Sequence, residues 1–265
     1  MRTRTAGVVV AVLAVCCLAL VLAAVYPFTT MEPQANADDE TFTVDDAAEY
    51  SATGSVVVDG ETPLAFEGVA TEDEGWYQRV EQDGITSEEY RAELNGTVYE
   101  RLEIKDEADA EHRRELIEDD EERTIVEETS DDGTVTLVVE SEPSTDDEPI
   151  TGTATVFVNS LELAAYESVA DESSESMTYE PQSGWYDGTR PYRITSPSGN
   201  VRADAETNAV ESADVSWELT EAESYVEYVL IRLTTDELST QRIRFEYDAD
   251  ETELEEPAWV DEHTE

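Results

Sequence analysis

The aromatic residues best suited to contact a ligand occur in a Gly-Trp-Tyr motif that the chain contains twice. Adjacent aromatic side chains offer large apolar faces with a polar edge, so they can form a platform for an apolar ligand or anchor a strand to the core. The sequence leaves both roles open. The candidate ligand-binding residues are Trp76, Tyr77, Trp185 and Tyr186.

No residues with the spacing of a catalytic or metal-binding motif accompany these aromatic pairs. The only histidines, His112 and His263, lack Ser/Asp partners and metal-ligand spacing, and both cysteines, Cys16 and Cys17, lie in an apolar run near the amino terminus. A Gly-x-Ser-x-Gly nucleophile motif is absent from the sequence. We therefore predict no catalytic residue, no metal site and no cofactor.

One local pattern predicts a modification. Asn95-Gly96-Thr97 is an N-glycosylation sequon and lies in a predicted hairpin turn. We expect Asn95 to be a glycosylation site if this part of the chain is extracellular.

The charge of the chain indicates its environment. The chain carries 66 acidic and 15 basic residues, a formal net charge of -51, and Lys105 is its only lysine. Repulsion among so many carboxylates destabilises a compact chain in dilute buffer, whereas salt at ~1 M shortens the Debye length to about 3 Å and screens it. The sequence contains no isolated cluster of Lys and Arg, which a nucleic-acid backbone requires. We predict a salt-adapted protein that attracts diffuse salt cations and binds no nucleic acid.

An uncharged apolar run, Ala6 to Tyr26, is long enough to cross a membrane as a helix of about 31 Å. Arg2 and Arg4 precede it and acidic residues follow, so the positive-inside rule places the amino terminus in the cytoplasm and the remaining chain outside. We predict a single-pass membrane anchor over residues 1–26 and a polar tether over 27–40. A cleaved signal peptide is the alternative.

The exterior part of the chain contains two similar stretches. Aligned at a constant offset, Ser55 to Ala70 and Thr155 to Ala170 share identical or conservative residues at most strand positions, and a Gly-Trp-Tyr follows each. A segment rich in Pro, Ser, Thr and acidic residues separates them. We predict a first β-rich module, a linker, a second β-rich module and an acidic tail, over residues 41–140, 141–150, 151–250 and 251–265.

Short alternating runs separated by Asp-Gly and Asn-Gly pairs predict β-hairpins, because these residues tolerate the positive φ of type I′ turns. Helical spacing predicts helices over Asp106–Glu122 and Ala222–Glu237. In the second module, Thr153–Asn159 is predicted as a strand. Leu161–Val169 also fits helical spacing, but the aligned Pro63 and Gly68 favour a strand there. The fold class is therefore α+β: mostly antiparallel β with two helices on one face, as a duplicated strand-rich module.

The anchor, the acidity, the scarcity of lysine and the strand blocks that carry Gly-Trp-Tyr resemble membrane-anchored cell-surface proteins of halophilic archaea. A strand-rich, membrane-tethered domain without disulfides and with packed helices also resembles the open half-barrels of the LolA/LppX lipoprotein-carrier class, at the level of fold alone. That resemblance implies a half-barrel sheet that holds an apolar ligand.

Three functions are compatible with these features. The first is a non-catalytic extracellular binding module for an apolar ligand, a lipid or a lipidated protein, near the membrane. The second is a structural or protein-interaction domain of the cell envelope. The third is a carboxylate-based hydrolase. An apolar cavity of more than about 300 Å³ would favour the first.

Overall fold

Thirteen strands and four helices form the described part of the chain. The computed structural model describes residues 42–45, 47–72, 75–93, 96–142, 149–169, 175–186, 191–222, 225–234, 238–249 and 252–261. The strands are β1 Tyr50–Val58, β2 Glu61–Ala70, β3 Trp76–Gln82, β4 Ile85–Arg91, β5 Val98–Ile104, β6 Arg123–Asp131, β7 Thr134–Ser141, β8 Tyr166–Ser168, β9 Ser176–Pro181, β10 Gly184–Tyr186, β11 Tyr192–Asp204, β12 Val210–Glu221 and β13 Ser239–Asp248. The helices are α1 Glu107–Glu118, α2 Pro149–Leu161, α3 Tyr225–Thr234 and α4 Ala258–Asp261.

Tight turns connect the first strands, as the sequence predicts. Asp59-Gly60, Asp83-Gly84 and Asp132-Gly133 each join two paired strands, and all six residues have φ between 46° and 87°. Consecutive positive φ angles give the type I′ geometry that matches the twist of the flanking strands. Asn95, the candidate glycosylation site, lies outside the described residues.

All strands belong to one antiparallel sheet, so the mostly antiparallel α+β class is confirmed. The order along the sheet is β6-β7-β5-β4-β3-β2-β1-β13-β12-β11-β9-β8, and β10 pairs with β11. β1 pairs with β13 over Ser51–Val58 and Gln241–Asp248. The segments predicted as a first and a second module are therefore continuous in one sheet, with the first and last strands side by side near its middle.

Two strand predictions in the second half are wrong. Thr153–Asn159 lies inside α2, and only Tyr166–Ser168 of the segment Leu161–Val169 is a strand. A helix is more stable here than a strand because it places five apolar side chains on one buried face at helical spacing. These side chains are Ile150, Ala154, Phe157, Val158 and Leu161. The aligned segment Ser55–Val58 is part of β1. The similarity between the two stretches therefore does not extend to their secondary structure here.

The two predicted helices form with shorter bounds. Helix α1 begins after Asp106, whose carboxylate accepts hydrogen bonds from the backbone N–H groups of Ala108 and Asp109. A side-chain oxygen at this position satisfies amide groups that have no partner within the helix. Helix α3 occupies the middle of the segment predicted over Ala222–Glu237.

Helices α1 and α2 pack on the same face of the sheet, which we call the inner face; the opposite face is the outer face. Helix α2 covers β1, β2 and β13, where Phe157 lies over Gly54 and stacks on Phe66 at 5.8 Å between ring centroids. Helix α1 covers β5, β6 and β7, where Ala110 and Ile117 are buried. The inner face thus has two apolar cores, one under each helix.

The ends of the described chain also pack on this sheet. Phe42 is buried, with its ring edge-on to Tyr166 and Tyr179. At the other end, Val260 is fully buried, and Thr252 donates a hydrogen bond to the carbonyl of Ala70. Part of the predicted acidic tail is therefore integrated into the fold. The predicted anchor lies outside the described residues; within them, no helix combines the length and apolarity that a membrane span needs.

Candidate functional site

A groove lies on the inner face between α1 and α2. The two helices pack chiefly on strands at either side of β3 and β4, which leaves accessible the part of the inner face near the turn between these strands. The groove has a volume of about 380 Å³ and is lined by Val80, Gln82, Asp83, Ile85, Ser87, Glu89, Glu100, Leu102 and Arg113. A volume of this size falls in the range of small-molecule sites.

Strand alternation explains which side chains reach the groove. Val80 lies opposite Ser87, which in turn lies opposite Leu102, so one cross-strand row runs over β3, β4 and β5. Side chains at i and i+2 of a strand point to the same face. The neighbouring row therefore brings Glu89 and Glu100 to the same face.

Glu89 and Glu100 are directly opposite each other across β4 and β5. Like charges in this position repel, so each carboxylate needs donors of its own. Gln78 Nε2 donates to Glu89 Oε2 at 2.8 Å, and Thr153 of α2 donates to Gln78 Oε1 at 3.3 Å. Gln78 is itself buried. This chain of hydrogen bonds connects α2 to the carboxylate of Glu89.

Glu100 receives its donors from other elements. Ser87 Oγ donates to Glu100 Oε1 at 3.3 Å, and the guanidinium of Arg123, at the start of β6, pairs with Glu100 Oε2. The side chain of Glu100 is 14% exposed. Charge-assisted hydrogen bonds of this kind hold a carboxylate in a fixed position.

The rest of the lining is mixed. Val80, Ile85 and Leu102 are apolar, Gln82 and Asp83 are polar or charged, and Arg113 reaches the groove from α1. The groove therefore combines an apolar surface with two fixed carboxylates. Such a surface suits a ligand that has an apolar part and a cationic or hydrogen-bond-donating group.

Trp76 and Tyr77, the first predicted pair, point to opposite faces of the sheet. Trp76 is buried on the inner face, its ring lies 5.7 Å from the Arg91 guanidinium carbon, and its Nε1 finds no hydrogen-bond acceptor among the described residues. The Tyr77 hydroxyl donates to Glu88 Oε1 at 3.3 Å on the outer face. Burial, followed by the nearby charge of Glu88, raises the pKa of Tyr77.

Trp185 and Tyr186, the second pair, are separated in the same way. Tyr186 is buried, stacks on Tyr192 at 5.6 Å and donates to the carbonyl of Gln182 at 2.8 Å. Trp185 points away from this core and meets Tyr228 of α3 edge-on at 5.6 Å. The four candidates thus do not converge on one site, and Trp76 and Tyr186 belong to the core under α2.

The groove residues have a weak signal in the sequence. Gln78, Ser87, Glu89 and Glu100 are polar at positions where strand alternation would otherwise continue an apolar face. Their significance appears only when the register of three strands is known.

Within the described ranges, no group of three or more His, Cys, Asp or Glu side chains is placed to hold a metal ion.

No family model, curated protein or solved structure matches this chain. The fold and the groove define an α+β protein built on one open antiparallel sheet.

Proposed function

We propose that the chain is a membrane-anchored extracellular binding module that works in high salt and performs no chemistry on its ligand. In this proposal, residues 6–26 hold it in the cell membrane, and the groove between α1 and α2 takes a lipid or the lipid chain of a lipidated protein. The sheet acts as the wall of a half-barrel that α1 and α2 cover in part.

The mixed lining of the groove is the observation that carries this proposal. Val80, Ile85 and Leu102 offer an apolar surface, while Glu89 and Glu100 offer acceptors beside it. An apolar chain would remove the first surface from water at about 25 cal/mol per Å². A head group with N–H or O–H donors would satisfy the second. A lipid-like molecule has both parts.

A structural or protein-interaction domain of the envelope is the alternative. It is favoured by the filled inner face beneath α2, where the largest buried side chains include Phe157, Trp217 and Phe245. A carboxylate-based hydrolase is a third possibility, and Glu89 and Glu100 are the pair that it would use.

The test is a substitution that fills the groove. Ser87 lies in the groove, whereas the adjacent Thr86 points to the outer face, so Ser87→Phe blocks the site and Thr86→Phe is the matched control. The full chain in membrane vesicles in molar KCl is exposed to a photoactivatable fatty amine, whose ammonium group matches the carboxylates of the groove, and cross-linked peptides are identified by mass spectrometry.

We expect adducts on peptides from β4, β5 and α1 in the wild type and in Thr86→Phe, and their loss in Ser87→Phe. Adducts that are confined to residues 6–26, or that are unaffected by Ser87→Phe, would reject the groove as the site. Cleavage of an ester analogue that Glu89→Gln abolishes would instead support the hydrolase.

A further inference from the structure

Helix α3 carries two large apolar side chains that are exposed to solvent. It reads YVEYVLIRLT, with Glu227 and Arg232 as its only charged residues. None of its side chains over residues 227–234 is buried, and Leu230 and Leu233 are 54% and 78% exposed. Large exposed apolar surfaces mark interaction sites in soluble proteins, and here the surface belongs to a chain of net charge -51.

Contacts among the described residues attach one edge of α3 to the sheet. Tyr228 meets Trp185 edge-on, the guanidinium of Arg193 lies 6.0 Å from the Tyr228 ring, and Arg232 Nη1 lies 2.8 Å from Glu218 Oε2. These contacts hold the helix at the end of β12 and leave its two leucines outward. Salts that are excluded from protein surfaces strengthen the tendency of apolar groups to become buried. Exposure of Leu230 and Leu233 to solvent is therefore most unfavourable at high salt concentration.

We propose that α3 docks on the lipid surface of the membrane that holds this chain, with Leu230 and Leu233 inserted at the boundary between head groups and acyl chains. The proposal rests on the predicted anchor at residues 6–26 and is independent of the ligand groove. At ten residues, α3 is about 15 Å long, so it lies along the surface and does not cross it.

The chain that precedes the sheet is long enough for this contact. Fifteen residues, 27–41, separate the predicted anchor from Phe42 and extend to about 50 Å at most. Thr43 is bridged to Ala209, next to the start of β12, and Glu218 stands nine residues further along, or about 30 Å. Helix α3 therefore reaches the bilayer when β12 lies roughly parallel to it.

The residues around α3 have the composition of a membrane interface. Trp185 and Tyr228 are aromatic side chains with one polar end, a type enriched at the level of the head groups. Arg193 lies beside both rings, and Arg232 is paired with Glu218. The predicted anchor keeps the chain at a lipid surface, so lipid is the favoured occupant over a second acidic copy of this chain.

The experiment measures contact between α3 and lipid directly. The full chain is reconstituted in molar KCl into phosphatidylglycerol vesicles with or without brominated acyl chains, which quench tryptophan. Leu233→Trp reports on α3, and Leu116→Trp on α1, where Leu116 is 49% exposed, is the matched control. The four native tryptophans contribute the same background to both variants.

We expect brominated lipid to quench more than half of the added fluorescence in Leu233→Trp and none of it in Leu116→Trp. The double variant Leu230→Asp/Leu233→Asp should lose quenching of Trp185 while it keeps its circular dichroism spectrum. Ser87→Phe should leave the quenching unchanged, which separates this proposal from that of the groove.

Three outcomes overturn the proposal. Equal quenching at positions 233 and 116 shows that α3 has no special contact with lipid. A blue shift of the Leu233→Trp emission that depends on the protein-to-lipid ratio, without quenching by bromine, shows that a second copy covers the helix. Release of the full chain from the vesicles removes the anchor on which the docking rests.

Discussion

Substitutions at Gly54 and Phe157 test whether α2 packs on β1 and so joins the two halves of the chain in one core. A Cβ atom added at Gly54 would lie 2.8 Å from the Phe157 Cδ1 atom, closer than such atoms approach, and the ring is fully buried. Gly54→Ala therefore overpacks the core and should cost about 1–3 kcal/mol of unfolding free energy. Phe157→Ala leaves a cavity and should cost about 3–5 kcal/mol.

The two costs should not add. Once the ring of Phe157 is removed, the methyl group at position 54 has space, so the double variant should be about 1–2 kcal/mol more stable than the sum of the single costs predicts. Urea unfolding in molar KCl, followed by circular dichroism, gives the three free energies.

A glycine on α2 itself supplies the control. A Cβ atom at Gly152 would meet nothing within 4 Å, so Gly152→Ala should stabilise the helix by about 0.5–1 kcal/mol and add to Gly54→Ala without coupling. Additivity of Gly54→Ala and Phe157→Ala within about 0.5 kcal/mol would refute the packing of α2 on β1.

Two further predictions concern charge. Lowering the salt concentration from ~1 M to ~0.1 M extends the Debye length from about 3 to about 10 Å, so repulsion between carboxylates acts over a longer range. The chain should therefore lose thermal stability and cooperative unfolding on dialysis to low salt. A melting temperature that is constant across a salt series would contradict this prediction. A hydrogen bond from Arg242 lowers the pKa of Asp214 in the folded state, so its stabilisation is present above the ordinary carboxyl pKa of about 4 and is lost as the pH falls through the lowered value. The melting temperature of Arg242→Gln should accordingly be below that of the wild type at neutral pH and equal to it in strong acid; a difference that does not change with pH would reject this role for the pair.

The local features of the fold could be predicted from the sequence because they depend on neighbouring residues. Asp59-Gly60 and Asp83-Gly84 specify hairpin turns whatever lies elsewhere in the chain. Asp106 likewise caps α1 through amides two and three residues away. Local signals of this kind are sufficient for the α+β class and for the two predicted helices.

Helix α2 could not be predicted in the same way. Its segment Thr153–Asn159 is rich in β-branched and aromatic residues, which favours a strand. The helical alternative becomes favourable only because β1 and β2 offer a surface without large side chains, at Gly54 and Gly68, against which Phe157 and Ile150 pack. The deciding partner thus lies about 100 residues away.

The residues that line the groove could not be predicted from the sequence for a related reason. Glu89 and Glu100 face each other only through the pairing of β4 with β5, and Arg123 reaches Glu100 only because β6 follows α1 and returns beside β7. Composition shows that carboxylates are abundant everywhere in this chain. It does not show which two of them share one face and are held by fixed donors.

The position of the arginines explains how so acidic a chain keeps an ordered sheet. On the outer face, Arg79, Glu88 and Arg101 lie in register across β3, β4 and β5, and both arginines approach Glu88, at 3.4 and 3.3 Å. At these distances no salt ion fits between the paired atoms, and Glu88 is largely shielded from solvent, so the attraction is screened less than the repulsion between distant carboxylates. Repulsion between more distant carboxylates is screened almost completely under the same conditions. High salt therefore removes the unfavourable long-range part of the electrostatics and leaves the favourable cross-strand pairs, which is the balance that a chain with 66 acidic and 15 basic residues needs in order to fold.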